Sequence, residues 1–309
     1  MGVAVIFPGQ GTQEPGMAAP WRDHPSWTVI ARAEAALGET LVDLVLDAPR
    51  ERLTRTREAQ LAVLLTSLVA WDALARTDMQ TPVAFAGHSL GQVSALIAAG
   101  VLGFEAGVRF AARRAELTQA AADAHPGRMA ALLGVSVDDA EAACATAPNA
   151  CWVANDNAPG QVVIAGTADG VEAATAFAKE HGARRARVLD VGGAFHTPLM
   201  RDATTGLADG VVRDLPLRAP SAPIVSNDDA QPYTDADGWR ERLPRHVSVP
   251  VRWRPAMETI AGLGATSCLE VGHGSMLAAL AKRTTPDLPV RGVSTPADLT
   301  QISEPTEVH

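Results

Sequence analysis

The sequence predicts an α/β fold in which helices cover a mainly parallel β-sheet, with a smaller unit inserted in the middle of the chain. Short apolar runs that end at glycine or proline alternate with longer stretches of helical spacing over most of the 309 residues. Apolar residues make up 47% of the chain and aromatic residues only 4%, which predicts a large core of aliphatic side chains.

The alternation of strands and helices is clearest before residue 126 and after residue 192. Strands are expected at residues 3–7 and 83–86, where short apolar runs are followed by glycine-containing turns. Three helices are expected between them and beyond: residues 57–76, 90–99 and 104–122. Further strands are expected at residues 224–226, 268–271 and 290–293. The polar tail from about Gln301 is expected to be loose.

The middle of the chain has a different order. After the breaker cluster at 125–127, the patterns predict a strand, a helix, two strands, a helix and a strand. Their expected positions are 129–133, 137–145, 151–154, 162–165, 170–182 and 184–189. This β-α-β-β-α-β order is typical of ferredoxin-like units. We therefore predict a ferredoxin-like subdomain at residues 127–191, inserted into a discontinuous large domain of residues 1–126 and 192–309.

Composition limits the class of protein. The chain has 26 basic and 35 acidic residues and a net charge of −9, which argues against wrapping nucleic acid or lying on an anionic membrane. Its three dispersed cysteines predict neither a disulfide framework nor a zinc site. No secretory pattern is recognised at the start, and the longest nearly apolar stretch is too short to cross a bilayer. We expect a cytoplasmic protein without a metal.

The segment Gly87-His88-Ser89-Leu90-Gly91 matches G-x-S-x-G, in which a serine occupies a strained turn between a strand and a helix. The predicted elements on both sides agree with that motif, so Ser89 is the candidate nucleophile and the large domain is expected to be α/β-hydrolase-like. The backbone N–H of Leu90 would face an oxyanion at the start of the helix. His88 shares the turn, so its ring is expected to point away from the serine hydroxyl and to line the pocket.

A nucleophilic serine needs a base and a second oxyanion donor. Of eight histidines, His196 is the best candidate base, because it follows a strand end and a glycine pair. Asp190 lies six residues earlier, but no acidic residue has a convincing setting as the partner of the base. The glycine-rich loop after the first strand is a suitable place for an oxyanion donor, the backbone N–H of Gln10.

Arg114 is set apart from its neighbours by helical spacing. Arg109 and Arg113 lie on a charged stripe, whereas Arg114 shares the apolar face of its helix. A buried charge without a partner is too costly, so Arg114 forms either an internal salt bridge or a fork for a substrate carboxylate. The sequence leaves both possibilities open.

These segments together resemble the malonyl-CoA:acyl carrier protein transacylases, the acyltransferase family of fatty acid and polyketide synthesis. The resemblance covers about residues 3–298. It rests on FPGQGTQ (7–13), AQLAVLL (around Gln60), GHSLG (87–91), ANDNAPGQVVIAG (154–166), GGAFHTPLM (192–200), PVRW (250–253) and LEVGHG (269–274).

The resemblance implies that Ser89 is acylated, that His196 is its base and that Arg114 binds the free carboxylate of malonate. It also implies that a backbone carbonyl near His246 orients the base and that Phe195 affects the choice between malonyl and methylmalonyl groups. Further pocket-lining side chains would be Gln60, Asn155 and Asn157. A coenzyme A thioester would be the substrate and the phosphopantetheine thiol of an acyl carrier protein the acceptor, without a bound cofactor. We expect a monomer.

Four positions depart from the family pattern. Gln92 replaces a usual glutamate, His246 a glutamine, Asp156 an aromatic residue and His273 a proline. Three alternatives therefore stay open: a transferase for another carboxylated acyl group, a serine hydrolase, and a catalytically silent carrier-docking protein. Basic residues in the last quarter are candidates for docking an acidic carrier: Arg242, Arg245, Arg252, Arg254, Lys282 and Arg283.

Overall fold

The computed structural model describes residues 2–303. Its strands are β1 (Val3–Phe7), β2 (Ala84–Gly87), β3 (Arg128–Leu133), β4 (Cys151–Ala158), β5 (Gln161–Gly166), β6 (Arg185–Val188), β7 (Ile224–Val225), β8 (Pro232–Tyr233), β9 (Val251–Arg252), β10 (Ser267–Val271) and β11 (Val290–Val293). Its α-helices are α1 (Thr28–Leu37), α2 (Val42–Leu46), α3 (Arg50–Leu53), α4 (Thr56–Ala75), α5 (Gly91–Ala98), α6 (Phe104–Ala124), α7 (Val137–Ala145), α8 (Ala168–Glu180), α9 (Arg201–Gly210), α10 (Ala236–Arg245), α11 (Trp253–Gly262), α12 (Met276–Thr284) and α13 (Pro296–Ser303).

Six strands form the larger sheet, in the order β11-β10-β1-β2-β7-β8. The pairs are parallel except β7 with β8, so the expected mainly parallel sheet is confirmed. Along β1, Val5 and Phe7 face one apolar cluster while Ala4 and Ile6 face another, as in sheets that are covered on both sides. β2 ends at Gly87, which places the serine motif at the carboxyl edge, where open α/β sheets bind ligands.

Five strands form the second sheet, in the order β6-β3-β5-β4-β9. The chain runs β3-α7-β4-β5-α8-β6, which is the predicted β-α-β-β-α-β order, with antiparallel pairs β3–β5, β3–β6 and β4–β5. One face packs on α7 and α8 through Ala130 and Ile164. The fifth strand comes from outside this segment, because β9 pairs in parallel with β4.

Two expected boundaries differ from the structure by more than two residues. β4 continues past residue 154 to Ala158, because Asn155, Asp156 and Asn157 are buried within the sheet rather than placed in a loop. α13 extends to Ser303, so the start of the expected loose tail is helical. Residues 304–309 lie outside the described part of the chain.

The helices α4 and α6 pack against each other beside the larger sheet. Within residues 2–303, α4 has the length and composition of a membrane-crossing helix, but 78% of its most apolar window is buried inside the protein. This packing brings Gln60 of α4 next to Arg114 of α6.

Candidate active site

The turn that carries Ser89 is tight, and both flanking glycines are required by contact distances. A Cβ atom on Gly87 would lie 1.9 Å from the carbonyl oxygen of Gly91, and one on Gly91 would lie 2.2 Å from the carbonyl oxygen of Phe7. Ser89 itself has φ +50°, a left-handed conformation that is strained for a residue with a side chain. The serine is therefore held in the strained strand-to-helix turn that the motif predicts.

His196 lies opposite the serine. Its Nε2 is 2.7 Å from Ser89 Oγ, and its Nδ1 is 3.0 Å from the carbonyl oxygen of Val249. Because the carbonyl can only accept, Nδ1–H donates to it and Nε2 is left to accept the serine proton. The backbone N–H of His196 also donates to the carbonyl of Val247, over 2.9 Å.

The base-orienting carbonyl expected near His246 is chiefly that of Val249, three residues further along. The backbone of His246 also favours the protonated ring of His196. The His246 side chain packs against the base with 5.9 Å between ring centroids. Among the described residues no carboxylate contacts His196, and Asp190 lies exposed at the rim of the cavity. An acceptor from the backbone therefore takes the place of the acid of a serine triad.

The environment keeps His196 neutral. Burial, followed by the positive charge of Arg114 and by His88, lowers the pKa of His196 to about 3. Burial also lowers the pKa of His88. A neutral imidazole at 2.7 Å from the hydroxyl can accept its proton at neutral pH.

Arg114 is buried, with 4% of its surface exposed, and it has no carboxylate partner among the described residues. Its Nη1 donates to Gln60 Oε1 over 2.5 Å, and its Nη2 lies 3.4 Å from Ser89 Oγ. Burial lowers the pKa of Arg114 to about 10, so it stays charged at neutral pH. The internal salt bridge that the sequence allowed does not form, and the fork faces the serine.

A cavity of about 320 Å³ joins these groups. The other predicted site residues that line it are Gln10, Gln60, His88, Asn155, Asn157 and Phe195. The backbone N–H groups of Gln10 and of Leu90, which directly follows the serine, have no acceptor in the part of the chain that is described. Two N–H donors are thus free at the serine end of the site, as an oxyanion requires.

Asn155 and Asn157 of β4 line the cavity, whereas two departures from the family pattern, Asp156 and His273, do not. Asn157 Oδ1 lies 2.8 Å from His88 Nε2, which turns the His88 ring away from the serine hydroxyl. Asp156 does not line the cavity, and its carboxylate lies 2.9 Å from Arg254. His273 does not line the cavity either, and contacts Glu14 at 3.5 Å.

One residue of the site was missed by the sequence analysis. Asn227 is fully buried after β7, and its Oδ1 accepts from the backbone N–H of Ser89 over 2.8 Å. Its backbone N–H donates to Oε1 of Gln92, one of the departures, over 3.0 Å. A buried loop asparagine without a motif leaves no signal that sequence patterns could have detected.

The family model described as the acyl transferase domain matches residues 4–297. The chain belongs to the acyl transferase family. It is 37% identical over 300 residues to the malonyl CoA-acyl carrier protein transacylase of Salmonella typhimurium, covering 96% of this chain and 97% of that one. Its fold matches the acyl carrier protein S-malonyltransferase of Vibrio cholerae with TM-score 0.94 and 35% identity, covering 98% and 100% of the two chains.

Another solved member of the acyl transferase family shows a bound partner. It is a malonyl-transacylase in complex with its type II PKS acyl-carrier protein. The present chain matches it with TM-score 0.93 and 34% identity, and the match covers 97% of this chain and 98% of that one. The similarity therefore extends over nearly the whole chain of a malonyl-transacylase that was solved in complex with a carrier protein.

Proposed function

We propose that this acyl transferase moves a malonyl group from malonyl-CoA to the phosphopantetheine thiol of an acyl carrier protein. The observation that carries the proposal is the buried guanidinium of Arg114, which lies 3.4 Å from the serine oxygen and has no carboxylate partner within residues 2–303. An acyl group on Ser89 that ends in a carboxylate would supply the missing counter-charge. An acyl group without one would leave this charge unpaired.

The first half-reaction acylates the serine. His196 Nε2 takes the proton of Ser89 as Oγ attacks the thioester carbonyl, and the backbone N–H groups of Gln10 and Leu90 stabilise the tetrahedral oxyanion. The C–S bond then breaks, and the coenzyme A thiolate leaves with the proton from His196. Val249 holds the ring in the tautomer that this proton transfer needs.

The second half-reaction transfers the acyl group. The phosphopantetheine thiol gives its proton to His196 and attacks the malonyl-serine ester, and the oxyanion forms again in the same place. Collapse releases malonyl-carrier and returns the proton to Ser89, so the kinetics are ping-pong. No bound cofactor takes part.

Other side chains of the cavity shape it. Gln60 fixes one arm of the Arg114 fork, and Asn157 holds His88. Asn155 lines the wall that the second sheet provides. Phe195 limits the room beside the α-carbon, but a pocket discriminates one methyl group by only about 1–3 kcal/mol, so malonyl preference is incomplete.

The proposed architecture is an α/β-hydrolase-like large domain, residues 1–126 and 192–309, with a ferredoxin-like subdomain at residues 127–191. The order and antiparallel pairing of β3 to β6 support the second description. We propose that the chain acts in the cytoplasm as a monomer and binds neither nucleic acid nor membranes.

We propose that only part of the basic cluster at the end of the chain meets the carrier. Arg242 pairs with Asp229, Arg245 with Asp228 and Arg254 with Asp156, so these three charges are already balanced. Arg252, Lys282 and Arg283 are exposed, and Arg283 donates to Gln161 at the cavity edge. We assign these three to the carrier surface.

Intact-mass spectrometry after mixing with malonyl-CoA tests the proposed function. The wild type is expected to gain one malonyl group, to lose it on addition of holo-carrier, and to lose it more slowly without carrier. Ser89→Ala removes the adduct. Ser94→Ala is the matched control, because this buried hydroxyl on α5 has no hydrogen bond in the described structure. Rapid release of free malonate without carrier would identify a hydrolase instead, and no adduct at all would refute catalysis.

A further inference from the structure

We infer that Asn227 is a positioning residue that holds the turn of Ser89 and the segment that orients His196 in one fixed arrangement. The inference rests on the proposed function, because it takes Ser89 as the nucleophile. Asn227 is fully buried in the loop between β7 and β8 and does not line the cavity, so it acts through its neighbours.

The Asn227 side chain bridges the strained turn. Its Oδ1 accepts from the backbone N–H of Ser89 over 2.8 Å, and its Nδ2 donates to the carbonyl of Gly87 over 2.8 Å. These two contacts lie on either side of His88. A left-handed serine conformation persists only where its surroundings determine it, and one amide here fixes both peptide groups. The direction of Ser89 Oγ follows from that clamp.

Asn227 Oδ1 also contacts the segment after α10 that orients His196. His246 Nε2 lies 3.2 Å from Asn227 Oδ1, and since Oδ1 can only accept, His246 donates. The residues directly after His246 supply the carbonyls of Val247 and Val249 that receive the two N–H groups of His196. Asn227 thus links the nucleophile and the base through two hydrogen bonds to one atom.

The backbone of Asn227 is itself held from two sides. Gln92 Oε1 accepts its N–H over 3.0 Å, while Gln92 Nε2 donates to the carbonyl of Val225 over 3.4 Å. The carbonyl of Asn227 accepts from the N–H of Arg252 over 2.8 Å. Gln92 serves one donor and one acceptor at once, which an ionised glutamate at this position could not do.

A positioning role predicts a specific kinetic defect. Malonyl-CoA binding depends on Arg114, which Asn227 does not contact, so KM should hold while the rate of Ser89 acylation falls. A misplacement of about 1 Å at the reacting atoms costs about 100-fold in rate. We expect a loss of about that size in Asn227→Ala and a smaller loss in Asn227→Asp, which keeps the acceptor for the Ser89 N–H but loses the donor to Gly87.

The experiment measures acylation by rapid-quench intact mass, KM for malonyl-CoA and the midpoint of thermal unfolding for wild type, both Asn227 variants and the Ser94→Ala control. A second pair, His246→Gln and His246→Leu, varies the other hydrogen bond to Oδ1. Glutamine keeps a donor and leucine does not, so the glutamine variant is expected to acylate faster. This pair and the Asn227→Asp variant keep the test decisive if Asn227→Ala does not fold.

Two results would overturn the inference alone: wild-type acylation rates in folded Asn227 variants, or a rise in KM that accounts for the whole defect. Equal rates of Ser89 acylation in the two His246 variants would contradict the proposed link from Asn227 through His246 to His196. A wild type that forms no malonyl-Ser89 adduct would overturn the proposed function and this inference together, so the two failures are distinguishable.

Discussion

The side chains of Arg114 and Arg242 are both largely withdrawn from solvent, and their surroundings differ. Arg242 belongs to the last turn of α10, and its side chain reaches the β7–β8 turn. It lies 3.1 Å from the carboxylate of Asp229 and 3.7 Å from that of Asp228, with its guanidinium over the ring of Tyr233. In the part of the chain that is described, the Arg114 guanidinium has only the neutral Gln60 and the serine hydroxyl as hydrogen-bond partners. The first charge is balanced by the fold, and the second is not.

The difference distinguishes a structural charge from a binding charge. A buried cation without a counter-ion is destabilising by several kcal/mol, and a carboxylate at contact distance removes much of that cost. In the Arg242 region the chain supplies the carboxylates itself. In the Arg114 region we propose that an acyl group supplies one, which would let the arginine select among acyl groups.

The largest expected effect is that of Arg114→Ala on malonyl transfer. Loss of one partner of a buried ion pair costs about 4 kcal/mol, which corresponds to about a 1000-fold lower kcat/KM for malonyl-CoA. The free energy of unfolding should not fall, because no ion pair is lost in the free protein. Steady-state kinetics with malonyl-CoA and acetyl-CoA check the specificity, which should shift toward acetyl. An unchanged malonyl preference would remove Arg114 from the binding site.

Arg242→Met should have the opposite profile. It removes the cation that contacts Asp229 and leaves Asp228 paired with Arg245 alone, so it should lower the free energy of unfolding by about 3 kcal/mol. Urea denaturation measures this, and malonyl transfer should fall far less than in the Arg114 variant. Arg213→Met is the control, because its ion pair with Asp209 is exposed and contributes little. An equal loss of unfolding free energy in Arg242→Met and Arg213→Met would mean that the Arg242 ion pairs do not stabilise the fold.

Gln60→Glu should make the Arg114 region resemble the Arg242 region. The new carboxylate would lie where Gln60 Oε1 now accepts from Nη1, so it would pair with Arg114 and repel the malonyl carboxylate. We expect kcat/KM for malonyl-CoA to fall roughly 30-fold, which corresponds to about 2 kcal/mol of lost transition-state stabilisation, while the free energy of unfolding rises. The exposed Gln80→Glu adds the same charge and is the control. An unchanged kcat/KM for malonyl-CoA would contradict the proposed competition between the new carboxylate and the malonyl carboxylate for the Arg114 guanidinium.

The smallest expected effect is that of Arg114→Ala on the loss of stability in acid. Burial lowers the pKa of His88, His196 and His246 in the folded protein. The unfolded chain therefore binds protons below about pH 6.5 that the folded chain does not, and stability is lost as pH falls, by at most about 1.4 kcal/mol per pH unit for each histidine. Arg114→Ala removes a positive charge that lowers the pKa of His196 and His246. This variant should therefore lose less free energy of unfolding than the wild type between pH 7 and pH 5. Urea denaturation at both pH values checks this, and Arg242→Met should keep the wild-type pH dependence.

The features that sequence patterns predicted depend on near neighbours in the chain. The turn at Ser89 is determined by two glycines within two residues of it, and the buried face of Arg114 by residues within one helical turn. Most strand positions followed in the same way from short apolar runs, whereas the two-residue strands β8 and β9 were not predicted. Such local rules place a serine and an arginine on their elements without knowledge of the rest of the fold.

The features that were not predicted depend on contacts between distant segments. The partner of His196 is a backbone carbonyl, which every residue has, so Val249 could not be singled out. Asn227 acts on Ser89 across 138 positions of sequence. Arg242 was assigned to a carrier-docking cluster because its ion pair with Asp229 is formed only in the folded chain.

The short strand β9 has a consequence for protein engineering. It is hydrogen-bonded to β4, where Asn155 is paired with Val251. It begins two residues after Val249, whose carbonyl accepts the hydrogen bond from His196 Nδ1. A transplant of residues 127–191 from a relative would set a foreign β4 edge against the resident β9 and could shift Val249. Chimeric enzymes that exchange acyl specificity should therefore carry residues 247–252 together with the inserted segment.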